Sequence, residues 1–267
     1  MKESLDYYNQ FDKKLINDYV TGNRRIISAI KRLSQFIPEN SGSVLDIGCG
    51  IGWSSHEFAK AFPNSQVLAV DLSPVLIETA KKLFENQKNL FFRSYDLTEG
   101  LPKGKFNAIV MIDVYEHIPL SDRTDFHHAL KNKLDVNGRV ILACPSKYHQ
   151  NFLKRYNPSG LQPIDEDVDF ETIRTIAKDI DGEIILFEYQ GIWNNYDYLY
   201  AVIELKPQYG DKTRKIKLDA LDVEPKSSRV KRVNSKLDIF IEAENKDIIK
   251  TMNIRSILKR LKKKFNL

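Results

Sequence analysis

Val44-Leu-Asp-Ile-Gly-Cys-Gly-Ile-Gly52 is the stretch on which the fold turns. A short apolar run leads straight into three glycines at alternate positions, and Ser54 onward reads as a helix. Strand, glycine-rich turn and helix in succession form a ligand-binding turn. Glycine takes positive φ without strain and lets a ligand approach the main chain. The first N–H groups of the helix have no partner within it. A dinucleotide fingerprint needs Gly-x-Gly-x-x-Gly, and Trp53 stands where its third glycine would fall. No Lys-Ser/Thr pair follows, which disfavours a triphosphate loop.

Outward from this turn the alternation continues. Apolar runs predict strands over 44–47, 66–70, 90–93, 106–112 and 139–143, with helices over 54–61, 74–84 and 122–134 between them. Pro74 suits a first helical turn and Ser73 its cap. Strands alternating with helices give a parallel sheet covered on both faces. A helix near 171–179 precedes two strands, 183–189 and 198–205, joined by a polar turn around Asn194 and Asn195, an antiparallel pair. Upstream, Leu15, Ile16 and Tyr19, then Ile26, Ile27, Ile30 and Leu33, follow helical spacing. The expected organisation is a helical cap over 1–42, a ligand-binding domain over 43–205 and an extension over 206–267.

Composition bounds the function. Of 267 residues 42% are hydrophobic and 10% aromatic, which excludes a disordered chain, and no apolar run reaches the ~18 residues of a membrane span. The start, Met1-Lys-Glu-Ser-Leu-Asp6, lacks a signal-peptide core, so a cytoplasmic location is expected. Cys49 and Cys144 are too few for a disulfide framework or a zinc cluster. The net charge of +5 hides an asymmetry. From Lys206 on, 18 Lys and Arg face 8 Asp and Glu, a net of +10, which leaves −5 on the rest. An acidic body argues against nucleic acid as the direct substrate.

Asp46-Ile-Gly-Cys-Gly-Ile-Gly52 resembles motif I of the class I S-adenosylmethionine-dependent methyltransferases, and the neighbourhood supports the resemblance. Asp71 ends the second strand where that family has an acid holding both ribose hydroxyls, and Asp96 matches its acid near the adenine amino group. Asp113-Val-Tyr-Glu-His-Ile-Pro119 is similar to the Glu-His-Ile/Val signature of its small-molecule members. In 134–145 the usual Pro-Gly-Gly is degraded to Val136-Asn-Gly138. The resemblance implies a seven-stranded, mostly parallel sheet with an antiparallel last strand. It also implies S-adenosylmethionine held by Asp46, Gly48, Cys49, Gly50, Gly52, Asp71, Leu72, Asp96, Leu97, Ile112 and Asp113. Arg24 and Arg25 precede motif I at about the distance where some quinone-biosynthesis relatives place an Arg on the cofactor carboxylate.

Methyl transfer is an in-line displacement, so the protein aligns the nucleophile and takes its proton. His117, just past the fourth strand, is the first candidate base, against a structural role for the same ring; His149 is the second. His127 and His128 fit a helix surface and His56 a structural position. Asp113 has no clear acidic companion for a metal site, so no metal is expected. Cys144 fits a small buried residue better than a nucleophile. Tyr7, Tyr8, Tyr115 and Tyr148 are candidates for lining an acceptor pocket, against ordinary packing.

At the C-terminus, Ile254, Ile257, Leu258, Leu261 and Phe265 share one helical face, with six Lys and Arg and no acid over 252–267. That pattern suits an amphipathic helix on an anionic membrane surface; the alternatives are a partner subunit, a solvated extension, or attraction to nucleic acid, for which the segment lacks the glycine and aromatic markers of an RNA-binding module. The expected activity is O-methylation of a small or lipid-linked acceptor such as a glycan or isoprenoid intermediate. Protein or RNA methylation, or a catalytically silent cofactor-binding subunit, are the alternatives.

Overall fold

Two helices open the chain, α1 (Asp12–Thr21) and α2 (Arg24–Leu33), and Gly22 between them sits at φ +85°. A side chain there would be strained and would meet the Arg229 guanidinium at 2.8 Å. Asn23 caps α2, its side-chain oxygen accepting from the Arg25 N–H at 3.0 Å. The computed structural model describes residues 11–38, 42–207, 222–237, 239–241 and 252–253.

The α/β core follows in the expected order: β1 (Ser43–Ile47), α3 (Trp53–Ala61), β2 (Gln66–Asp71), α4 (Pro74–Phe84), β3 (Leu90–Ser94), β4 (Phe106–Ile112), α5 (Arg123–Lys133), β5 (Leu134–Pro145), α6 (Lys147–Tyr156), α7 (Phe170–Asp179), β6 (Gly182–Gln190) and β7 (Tyr198–Leu205). They form one seven-stranded sheet, ordered β3-β2-β1-β4-β5-β7-β6. β7 is antiparallel to both β5 and β6, and the other paired strands are parallel. Chain order reverses between β1 and β4, and ligands of open α/β sheets bind at the carboxyl ends beside such a reversal.

Alternation along the strands divides the core in two. Val44, Ala108, Val110, Ile141 and Ala143 face a layer shared with Tyr19, Ile30, Phe58 and Ile77 from α1 to α4. Leu45, Ile109, Met111, Val140 and Leu142 face the other, with Leu130 of α5 and Ile176 of α7. Ser73 caps α4 as expected, accepting from the Leu76 N–H at 3.3 Å. β5 starts earlier than its apolar run because Leu134 pairs with Phe106 across a register irregularity.

α6 and a later helix, α8 (Lys226–Lys236), have no counterpart among the predicted elements. Val230 and Val233 of α8 join the first core layer, and Arg229 lies over the Trp53 ring at 5.2 Å. Residues 222–237 therefore pack on α1 and α4. Two-residue strands β8 (Ile239–Phe240) and β9 (Met252–Asn253) pair antiparallel. The rest of the amphipathic tail, 254–267, lies outside the described residues, as do Tyr7 and Tyr8. Among the described residues no helix is long and apolar enough to cross a membrane.

Candidate active site

The glycine turn is drawn tight by backbone bonds. Gly48 and Cys49 both donate their N–H to Val70 O, at 2.8 and 3.0 Å, which ties the turn to the end of β2. Gly48 and Gly52 lie at φ +68° and +82°, and an added Cβ would strike Val114 at 2.3 Å or Phe92 at 2.5 Å. These two positions need glycine for space as well as for backbone freedom. Gly52 opens α3 with no side-chain cap, so the N–H groups of the first turn remain for a ligand. The Cys49 thiol is buried and pushed well up by burial, with Asp71 and Asp46 adding to it, which makes it unreactive.

Asp46 lies beneath the turn, 1% exposed, and accepts from Ser54 Oγ at 2.8 Å and Ser55 Oγ at 2.6 Å. It therefore anchors the first turn of α3. Burial raises its carboxyl to about 6; the two hydroxyl bonds oppose this and nearby Asp71 adds to it. With the folded value above the usual 3.8, the folded chain keeps a proton that the unfolded chain gives up. Stability from this group is full below about pH 4, falls as pH rises to about 6, and is level above. The fall is on the order of 2–3 kcal/mol. In Asp46→Asn, urea melts from pH 4 to 7 are expected to lack it.

Asp71 follows at the end of β2, and both of its oxygens hold the turn. Oδ2 accepts from the Gly50 N–H at 2.8 Å and Oδ1 from the Ser73 N–H at 2.9 Å. Burial raises this carboxyl while the two backbone bonds lower it. Each oxygen keeps a second lone pair for a ligand. Leu72 follows, half-buried, with its carbonyl accepting from Ser94 Oγ at 3.3 Å. Asp96 is half-buried beyond β3 and caps the turn beginning at Leu97, accepting from Thr98 N at 2.9 Å and Thr98 Oγ1 at 2.8 Å.

Past Ile112, buried at the end of β4, the chain turns sharply at Asp113, a non-glycine residue at φ +56°. Such backbone is costly and clusters at functional sites. It aims Asp113 Oδ2 at Arg25 Nη1, 2.7 Å away, and the same nitrogen donates to Tyr198 Oη at 3.0 Å. Burial works to lower the Arg25 guanidinium, but Asp113 and Tyr198 outweigh it and raise it. Three distant elements, α2, β4 and β7, thus meet in one partly buried ion pair.

Glu116 and His117 follow. Glu116 is 1% exposed, and burial, reinforced by Asp113 and Asp165, holds its carboxyl well above the ordinary range. His117 Nδ1 lies 2.6 Å from Ile164 O and 3.3 Å from Asp165 Oδ1. A carbonyl only accepts, so Nδ1 carries a proton. The Glu166 N–H donates to Glu116 O at 2.9 Å, which pins the segment after α6 onto this corner. Gln150 of α6 joins through Asp165, donating at 3.3 Å.

Not every candidate converges here. Arg24 faces outward and lines a shallow groove with Ile27, Ser28 and Lys31. Tyr115 turns into the second core layer, where its Oη lies 2.7 Å from His127 Nε2 while His127 Nδ1 meets Asp179 Oδ2 at 2.6 Å. His127 is thus buried, not on a helix surface, because this relay ties β4 to α5 and α7. Tyr148 is exposed in an aromatic cluster with Tyr189 and Tyr196. His149, in the first turn of α6, lies beside the Tyr198 ring, its Nδ1 3.9 Å from Asp197 Oδ1. His56 is buried on Phe84 and lowered to about 3, first by burial and then by Arg232 and Lys60. Glu116, Gln150, Asp165 and Tyr198 were missed by sequence reasoning. Only Glu116 had a local signal, its place beside His117.

Donors at the α3 N-terminus, a carboxylate with spare lone pairs at the end of β2 and a second acid past β3 suit, in turn, the amino-acid, ribose and base parts of S-adenosylmethionine. Residues 44–138 match a family described as a methyltransferase domain. The fold is shared with magnesium protoporphyrin IX methyltransferase from Synechocystis, solved with S-adenosylhomocysteine bound. That likeness has TM-score 0.60 at 21% identity, covering 76% of this chain and 98% of that one. The fold is thus a Rossmann-like one, and residues 44–138 within it are similar to a methyltransferase domain. Among curated relatives, the chain is 32% identical over 101 residues to malonyl-[acyl-carrier protein] O-methyltransferase 1 of Ilyobacter polytropus, covering 38% of this chain and 37% of that protein. It is 34% identical over 109 residues to the mitochondrial ubiquinone biosynthesis O-methyltransferase of Schizosaccharomyces pombe, covering 39% and 38%. The chain spans less than half the length of these relatives.

Proposed function

We propose that the protein is an S-adenosylmethionine-dependent methyltransferase acting on a hydroxyl of a small or lipid-linked acceptor, with His117 as the general base. The observation that carries this reading is convergence. The glycine turn, Asp71 and the Asp113–His117 corner all lie at the carboxyl ends of β1, β2 and β4, on either side of the reversal in strand order. The O-methyltransferase relatives support the choice of oxygen.

Bound there, the cofactor supplies an electrophilic methyl group on a sulfonium. The α3 N-terminus and glycine turn hold its amino-acid end and Asp71 accepts its ribose hydroxyls. Asp96 and Leu97 flank its base, and Ile112 bounds the pocket from β4. Arg25, fixed by Asp113, lends positive charge toward the carboxylate. His117 Nε2 takes the acceptor's proton as its oxygen attacks, and Nδ1–H stays on Ile164 O, which keeps the ring in the basic tautomer. His149 is the alternative base, reached across Tyr198. The basic segment 252–267 brings the enzyme to an anionic membrane surface if the acceptor is lipid-linked.

The test is calorimetric. S-adenosylhomocysteine at a hundred times its Kd stabilises a single-site binder by about 2.7 kcal/mol. For a chain of this size that is a rise of roughly 5–10 °C in Tm. No rise removes the cofactor assignment. A rise with no product across hydroxyl acceptors leaves a silent cofactor-binding subunit instead.

A further inference from the structure

Three oxygens at the acceptor corner are buried with no hydrogen-bond donor among the described residues: Glu116 Oε2, Asp113 Oδ1 and Gln150 Oε1. Their residues are linked side to side. Asp113 and Asp165 both act on the Glu116 carboxyl, and Gln150 donates its amide to Asp165. A buried acceptor without a donor is costly, and three in one place are a lasting imbalance that a ligand can correct. No three His, Cys, Asp or Glu side chains among the described residues are placed to hold a metal ion, so the oxygens call for N–H or O–H groups. Arg25 Nε is also buried without an acceptor, and Arg25 Nη1 is paired with Asp113 at 2.7 Å.

We propose that Glu116, together with Asp113, is a specificity-determining residue that accepts a second hydrogen-bond donor carried by the methyl acceptor and excludes carboxylate acceptors. The inference rests on the corner's being the acceptor subsite of the methyltransferase. Of two donors on one small molecule, the first yields its proton to His117 and is methylated, and the second bonds Glu116 Oε2. A carboxylate brings no donor, and it enters beside Asp113 and Asp165, where further negative charge is repelled.

The experiment measures Tm of the full chain saturated with S-adenosylhomocysteine, with catechol, benzylamine or benzoate added at equal concentration. Catechol carries two hydroxyls and benzylamine an amine, while benzoate carries only an anion on the same ring. A donor-bearing probe is expected to add roughly 3–6 °C at ten times its Kd, and benzoate nothing. Comparison of catechol with benzylamine tells which donor the corner takes. Glu116→Gln keeps an acceptor oxygen and is expected to keep the probe shift. Glu116→Leu is expected to weaken probe binding at least tenfold while its S-adenosylhomocysteine shift persists. A benzoate shift equal to that of the donor probes, no shift with any probe, or an unaltered shift in Glu116→Leu overturns the proposal. If Glu116→Leu does not fold, the three probes on the wild type and Glu116→Gln decide it. Loss of the S-adenosylhomocysteine shift itself is a separate failure, of the cofactor assignment.

Discussion

Asp71→Ala is expected to abolish the rise in Tm that S-adenosylhomocysteine gives the wild-type chain. In the proposed site the carboxylate accepts from both ribose hydroxyls, and hydrogen bonds to charged groups are worth about 1.5–3 kcal/mol each. Loss of two weakens binding by roughly 10²–10⁴-fold, so a concentration near a hundred times the wild-type Kd gives almost no shift. The substitution also strips the acceptors from the Gly50 and Ser73 N–H groups, so the ligand-free Tm falls as well. The two effects separate because the shift is a difference between melts with and without ligand. Asp71→Asn, which retains one acceptor oxygen, is expected to fall between. An undiminished shift in Asp71→Ala would remove Asp71 from the cofactor site.

His117→Ala is expected to lower kcat by roughly 10²–10⁴-fold with the S-adenosylhomocysteine shift unchanged, the range in which a general base acts. The ring has a second task, since its Nδ1–H holds Ile164 O at 2.6 Å and so helps fix the segment that carries Asp165 and Glu166. His117→Asn separates the two tasks, because its amide offers a donor for that carbonyl but no basic nitrogen. A base role predicts that both variants lose turnover and that the loss narrows at high pH, where the acceptor hydroxyl ionises without help. A purely structural role predicts that Asn restores turnover and that pH changes nothing. Unchanged turnover in His117→Ala would pass the role to His149.

The sheet, and the placement of the proposed cofactor residues at its strand ends, were legible in the sequence. β4 and α4 begin and end where the periodicity places them, and the glycine turn, Asp71 and Asp96 stand at or just past strand ends. These features are local: period-two and period-3.6 patterns, a cap and a turn are set by neighbours in the chain. The acceptor half was only half legible. Glu116 stood beside the chosen His117, but nothing in its neighbours marks it as buried and without a donor. Gln150 reaches the corner from α6, Asp165 from the segment after it, and Tyr198 from the antiparallel strand. Arg24 and Arg25 are adjacent and chemically alike. Only the rotation of α2 against the sheet sends one to Asp113 and the other to the outer groove. Tyr115 and His127 went the other way, from expected pocket wall and surface to a buried relay.

By itself, then, the sequence determined that an Asp-x-Gly-x-Gly-x-Gly turn joins a strand to a helix at the head of an alternating α/β chain. Sterics and hydrogen bonding act there over a few residues. Only the tertiary structure decided which side chains share the corner beyond β4. Burial, ion pairing and the orphaning of a polar atom depend on what long-range packing brings within a few ångströms, and residues 25, 113, 116, 165 and 198 carry no sequence record of that distance.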